Sequence, residues 1–394
     1  MGFRSLALVA FALLPTVFAA SSLPKVDYDV IVVGGGPSGL STLSALGRVR
    51  RKALLFDDGQ YRNGVTRHMH DVIGNDGAVP DEYRALARKQ ISRYNSTSIK
   101  DIRVATITKE NKDAKPGAYF VVKDVKGGKY TARKIVLGTG LRDVFPNTPG
   151  IKEAFGKGIY WCPWCDGWEH RDQPFGILGR LRDVMGSVVE VWSLNRDIIA
   201  FVDGTNVAED RKKLAEKYPH WEKQLEKYNV KIENRTIKSV VRLQDGSKVN
   251  NPKEWREFDK FSVNFETGPS INRSALITNY PYVQRSDLPN QLNLARDKND
   301  TNKIEVNING MRTSLDGVFA VGDANNDGST NVPHAMFSGK RAAVYVHVEI
   351  ERENSLDSIQ KRGTKFSARS TEKEAVRLIG NDLEDAWKKA QMAK

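Results

Sequence analysis

The chain has 394 residues with a formal net charge of +13, long enough for two domains of about 100–200 residues each. Its Lys and Arg are interleaved with Asp and Glu instead of gathered into an arm or stripe, which reads as a solvated surface and argues against nucleic acid as the partner. Two cysteines occur, Cys162 and Cys165; a secreted chain of this size that relied on disulfide staples should carry several pairs.

Residues 1–20 pair Met1–Arg4 with the apolar run Ser5–Phe18 and the small residues Ala19 and Ala20. This is the pattern of a secretory signal peptide, and the run falls short of the roughly 18–20 residues that span a bilayer. The expectation is therefore cleavage, no membrane span afterwards, and a secreted or lumenal product. Asn95, Asn234, Asn272 and Asn299 each begin an Asn-x-Ser/Thr glycan acceptor sequence.

Next comes a Val- and Ile-rich strand, Tyr28–Val33, then the turn Gly34-Gly35-Gly36-Pro37-Ser38-Gly39 and a helix over Leu40–Arg50. A buried strand, Ala53–Phe56, ends at Asp57-Asp58 about twenty residues past the turn, which completes a βαβ unit. Gly34, Gly36 and Gly39 suit a tight turn, close approach to a pyrophosphate and close helix–strand contact, with phosphates on the helix N-terminus. Asp57 would accept from ribose hydroxyls. These residues alone fit NAD or FAD.

Lys134–Leu137 reads as another strand, running into Gly138-Thr139-Gly140. Cys162-Pro163-Trp164-Cys165 follows, with Pro163 at a first helical position and Cys162 at the helix N-terminus, where the thiolate is favoured below its free pKa of about 8.5. Redox chemistry is the leading reading. An inert disulfide and half of a zinc site completed by His170, His220 or His334 are the alternatives; no metal is expected. Asp166 and His170 are candidates to exchange a proton with a thiol, and Trp161, Trp164 and Trp168 bracket the pair as a wall or as core.

Phe175–Gly179 and Asp197–Asp203 look like strands of a second dinucleotide-type unit, with a charged helix around Glu209–Tyr228 and β-rich sequence beyond. The strand Gly317–Val321 ends in Gly322-Asp323, and helix follows over Asn331–Glu351. Past a polar stretch, Val376, Ile379, Leu383 and Trp387 fall at helical spacing behind a Thr371/Glu374 capping pattern, a helix for docking on the body or on a dimer partner. The expected class is α/β, with two Rossmann-like three-layer (ββα) domains, the second inserted into the first. The first comprises 27–150 and 270–350, the insert is 151–269, and 351–394 is a helical tail.

Taken together, the glycine turn, Gly138-Thr139-Gly140, Cys-Pro-Trp-Cys-Asp-Gly and Gly317-Val318-Phe319-Ala320-Val321-Gly322-Asp323 resemble the low-molecular-weight thioredoxin reductases over about residues 27–350. The resemblance implies FAD, with Asp323 at its ribityl and pyrophosphate region, Cys165 against the flavin, Cys162 exchanging with substrate, His334 near the flavin ring, and a homodimer.

Two departures fall where NADPH should bind. The second glycine fingerprint reads Gly179-Arg180-Leu181-Arg182-Asp183-Val184, so Leu181 replaces a glycine and would obstruct a pyrophosphate. The strand after it ends in Asp203, which disfavours the 2′-phosphate. These departures look like the fungal gliotoxin-type dithiol oxidases, which pass electrons from a dithiol, small or protein-borne, through CxxC and FAD to O2 with H2O2 formed. An NADPH-dependent reductase and a secreted flavin-binding interaction protein with a structural disulfide are the rivals.

Overall fold

The computed structural model describes residues 23–112 and 117–358; the signal segment and the amphipathic pattern over 371–389 lie outside the described residues. The first unit opens with β1 (Tyr28–Val33), α1 (Pro37–Arg48), β2 (Ala53–Asp57), α2 (Pro80–Ile91) and β3 (Thr97–Asp101). It continues through β4 (Val104–Glu110), β5 (Tyr119–Asp124), β6 (Lys129–Leu137) and β7 (Leu141–Asp143). Strands β3, β2, β1 and β6 are parallel neighbours, and β5 and β4 extend the sheet antiparallel beyond β6. Val30–Val33 and Ala53–Phe56 are buried, as expected of strands covered on both faces. Helix α1 starts at Pro37, where the missing N–H loses nothing.

The inserted unit carries α3 (Ile151–Ala154), β8 (Ile159–Tyr160), α4 (Pro163–Asp166), β9 (Phe175–Leu178), α5 (Val184–Val191) and β10 (Ile198–Phe201). After these come α6 (Ala208–Lys217), α7 (Trp221–Lys227), β11 (Lys231–Glu233), β12 (Ile237–Gln244), β13 (Asn250–Asn251), β14 (Arg256–Glu257), β15 (Lys260–Phe265), β16 (Ile271–Arg273) and β17 (Ala275–Thr278). A parallel sheet runs β11-β10-β9-β17-β8, beside the antiparallel sheet β12-β15-β16 and the β13–β14 hairpin. The single charged helix expected over 209–228 is two helices, because Pro219 has no N–H to continue the ladder. Strand β17, expected with the first unit, belongs to the second sheet. All four of its residues are buried there, between β9 and β8, so the chain re-enters the first unit after Thr278 rather than at 270.

The return passes through β18 (Tyr282–Gln284), antiparallel to β7, then α8 (Leu288–Gln291), β19 (Val318–Ala320), parallel to β6, and α9 (Val332–Ser358). Helix α9 lies on α1: Ser41 Oγ donates to Met336 O at 2.6 Å, and a Cβ on Gly339 would overlap Ser38 O. No helix among the described residues is long and apolar enough to cross a membrane.

At the junction of the units, Gly150 has φ +90°, and a Cβ there would overlap Val240 O, while Val240 N donates to Pro149 O at 2.9 Å. Gly150→Ala is expected to cost about 2–4 kcal/mol through strain and steric overlap. The check is a lower urea midpoint at unchanged m; an unaltered midpoint would show that the junction yields.

Candidate active site

A cleft of about 1180 Å³ is lined by the first glycine turn, the Gly138–Gly140 turn after β6, Asp323 and the cysteine turn; Gly322, expected among these, is buried outside the lining with its N–H donating to Ser338 Oγ at 3.0 Å. The floor of the cleft depends on close backbone contact. A Cβ on Gly34 (φ +110°) would overlap Gly138 O, and one on Gly39 would overlap Gly34 O. Gly36 is the opposite case, since a Cβ there would meet nothing within 4 Å. Bare backbone at the start of a twelve-residue helix is thus open to the cleft, a cradle for a pyrophosphate. Thr139 Oγ1, from the next turn, is buried without a partner. Pro37, Ser38, Gly138 and Gly140 also line this space, so the residues fit a bound dinucleotide.

The acidic groups divide. Asp57 is buried at the end of β2, accepts from Tyr61 Oη at 2.5 Å and Gly59 N at 3.0 Å, and pairs with Arg88 at 2.6 Å. It borders a smaller adjoining hollow of about 460 Å³, whereas its neighbour Asp58 lines the main cleft as well. Asp323 lies in the cleft and is joined at 2.9 Å to Arg62, which also holds Asp143 at 2.6 Å and stands 4.7 Å over the Trp161 ring. Burial opposes the Arg62 charge, but the two carboxylates hold the guanidinium above its ordinary pKa. Sequence reading missed Arg62, since nothing in its loop marks it before Asp143 and Asp323 are brought beside it.

Cys162 caps α4, with Pro163 at the first helical position, and the two cysteines are joined as a disulfide. Both line the cleft; Cys162 is buried and Cys165 more open. Trp164 lines it too but is 68% exposed. Trp168 is also largely exposed, beneath the Arg171 guanidinium at 3.9 Å, so these two are surface and not core. Asp166 faces the cleft and accepts from Thr66 Oγ1 at 2.9 Å. Burial pushes its carboxyl up to about 6, against the opposing effects of Thr66 and His170.

His170 takes a different place from the one expected. The helix ends at Asp166, and the His170 ring is buried with Nδ1 3.0 Å from Asp166 O and Nε2 3.0 Å from Asp259. It is not among the cleft-lining residues, so it positions the Asp166 turn instead of meeting the sulfurs. Asp259 also pairs with Arg67 at 2.8 Å and Arg242 at 2.7 Å, and Arg67 binds Glu257. His170, Glu257 and Asp259 bring potential ligand atoms within 4.8 Å of one another, but the guanidinium groups already neutralise the carboxylates. His334 sits in the first turn of α9 with Nε2 2.7 Å from Asp327, an ion-pair distance without hydrogen-bond geometry; its neighbours Asn331, Val332 and Ala335 line the cleft and it does not.

The second fingerprint is altered by a mechanism other than the obstruction expected. Leu181 is fully buried in the core with Phe175, Val184 and Leu214. Its N–H is consumed by Thr205 Oγ1 at 2.9 Å, and Arg180 is clamped to Asp210 at 2.8 and 3.1 Å. Asp203 accepts from Ile237 N at 2.7 Å. The Leu181 N–H and the Arg180 guanidinium, two donors that would meet a phosphate, are thus spent internally.

Two outcomes follow. The Asp166 carboxylate accepts a proton only once ionised, so thiol exchange should rise as pH climbs through about 6. Asp166→Asn should remove that limb and slow exchange about 10²–10³-fold, as read from cysteine alkylation against pH. Leu181→Gly should cost about 3–4 kcal/mol for an emptied core site, read by urea unfolding. It should not create NADPH binding by titration, because the Thr205 and Arg180–Asp210 contacts survive.

A family model described as pyridine nucleotide-disulphide oxidoreductase matches residues 28–339. A protein of Arthroderma benhamiae named "Probable thioredoxin reductase" is 59% identical, over 97% of this chain and 98% of its own length. Thioredoxin reductase tcpT of Claviceps purpurea is 30% identical over 79% of this chain and 90% of its own. Among solved structures, HlmI matches with a TM-score of 0.72 at 26% identity, over 84% of this chain and 95% of its own. An oxidoreductase of Agrobacterium tumefaciens matches at 0.70 and 25%, over 82% and 99%. The chain belongs to the pyridine nucleotide-disulphide oxidoreductase family and is an FAD-dependent enzyme acting on sulfur compounds.

Proposed function

We propose that this enzyme oxidises a dithiol, a small metabolite or a protein, to a disulfide, with O2 as the final acceptor and H2O2 as the second product. One observation carries the direction: the first fingerprint offers open backbone at Gly36, while the second has committed Leu181 N–H and Arg180 to internal partners. The turn suited to a flavin nucleotide is intact and the one suited to NADPH is not.

In this reading a substrate thiol gives its proton to the Asp166 carboxylate and its sulfur attacks Cys162 Sγ, breaking the Cys162–Cys165 bond. The second substrate thiol then displaces Cys162, closing the product disulfide and leaving the pair reduced. FAD bound in the cleft would supply the two-electron chemistry by which the pair is reoxidised, with O2 as the final acceptor. Gly34, Gly36, Pro37, Ser38, Gly39, Thr139, Gly140 and Asp323 would hold it, with Asp57 and Asp58 towards the hollow beside β2.

A secretory route is part of the proposal. Asn95, Asn234, Asn272 and Asn299 are all exposed, as glycan acceptors must be.

The rival reading, NADPH-dependent disulfide reduction, draws on the names of the relatives. The test mixes purified FAD-loaded enzyme with each reductant under argon. Dithiothreitol is expected to bleach the flavin while NADPH does not, and readmitted O2 should restore the colour with one H2O2 per dithiol. Rapid bleaching by NADPH, or by neither reductant, would sink the proposal.

A further inference from the structure

Oxidation of one dithiol releases two electrons, which pass through the cysteine pair to FAD, and two protons. Asp166 can hold only one proton at a time. Its Oδ1 accepts from Thr66 Oγ1, and its proton has to pass on, to the expelled Cys165 thiolate or outward, before the second substrate thiol can be deprotonated there.

A chain of titratable groups leads from the cleft to the surface beside this carboxyl. Glu169 follows Asp166 by three residues, and Thr66, which holds Asp166, lies four residues before His70 in the same loop. His70, from the loop after β2, lines the cleft; its Nε2 is 3.4 Å from Glu169 Oε1 and its Nδ1 is 3.6 Å from Asp76 Oδ2. The exposures run in the same order, with Glu169 and His70 side chains 10% and 12% exposed and Asp76 51%. Gaps of this size close with a small side-chain movement or one water.

His70 also faces His68 from its own loop, at 6.3 Å between ring centroids, and Trp255 from the β13–β14 hairpin, at 5.9 Å. Glu257 is directed to Arg67 and His68, and His170 to Asp259. Glu169 and Asp76 are thus the carboxylates within reach of the His70 nitrogens.

We propose that His70, acting with Glu169, relays the substrate protons from Asp166 to Asp76 and solvent. This rests on the dithiol-oxidising direction proposed above. His70 touches neither sulfur nor substrate in this scheme and acts through Asp166. No bond other than N–H and O–H is made or broken along the relay. The two electrons go to FAD and the two protons go, one after the other, to water, from which H2O2 formation takes two back, so that dithiol and O2 give disulfide and H2O2 with no net proton released.

The test follows the cysteines themselves in the FAD-loaded enzyme. Under argon, dithiothreitol is added, the mixture is quenched in acid at set times, and free Cys162 and Cys165 are counted by alkylation and mass spectrometry on both sides of the Asp166 midpoint. His70→Gln keeps the size and polarity but cannot titrate. It is expected to slow pair reduction about tenfold to a hundredfold near neutral pH, to change the shape of the pH profile, and to recover when imidazole is supplied in the buffer. Glu169→Gln should slow it in the same direction and serves as the second variant if His70→Gln folds poorly. A variant slowed equally at every pH and indifferent to imidazole would make His70 a packing partner of Trp255. A variant indistinguishable from wild type at every pH would remove the relay while leaving the dithiol reading intact. Wild-type enzyme whose cysteines take no electrons from dithiothreitol would overturn that reading and the relay together.

Discussion

The chemistry of this enzyme depends on a buried ion cluster between its two units. Arg67, from the loop after β2, reaches Glu257 and Asp259 of the insert, and Asp259 in turn holds Arg242, the backbone N–H of Gly246 and the His170 ring. Burial alone would keep Asp259 neutral, but the His170 and Arg67 contacts hold its carboxyl well below the usual range. Breaking such a cluster by removing one partner leaves an uncompensated charge, at about 3–5 kcal/mol. Since His170 also grips Asp166 O, the contact that seats the insert fixes the turn carrying the cysteines. Domain placement and redox geometry are one constraint.

The two fingerprints show how the same local motif serves opposite ends. In the first, glycines at 34 and 39 let backbone meet backbone, and Gly36 is left bare toward the cleft. In the second, the side chain at 181 turns inward as core, and the polar groups that phosphate would have used pair with Thr205 and Asp210. One turn keeps its donors for a ligand; the other spends them on its own stability.

Much of this was legible in the sequence. A glycine turn between a buried strand and a helix is a local signal, since steric demands on Gly34 and Gly39 are met within one βαβ unit. The Cys-Pro-Trp-Cys helix start is equally local. Arg62, Thr66, Arg67 and His70 were not legible. They sit in an irregular loop without periodicity, and each acquires meaning from a residue 81 or more positions away, such as Asp143, Asp166, Asp259 or Glu169. His170 was placed beside the cysteines by helical spacing, which failed because the helix stops at Asp166. Strand β17 was misassigned because four buried apolar residues do not announce which of two parallel sheets will take them.

Leu181 has a consequence for how such an enzyme could change its trade. Restoring a glycine there would open a hole in the core before it offered anything to a nucleotide, and the freed N–H would still be held by Thr205. At least three positions, 180, 181 and 205, would have to change before any gain in nicotinamide binding, with the first step costing stability. Packing therefore acts as a lock: once a phosphate turn is recruited into the hydrophobic core, refitting it for a nucleotide passes through a less stable protein.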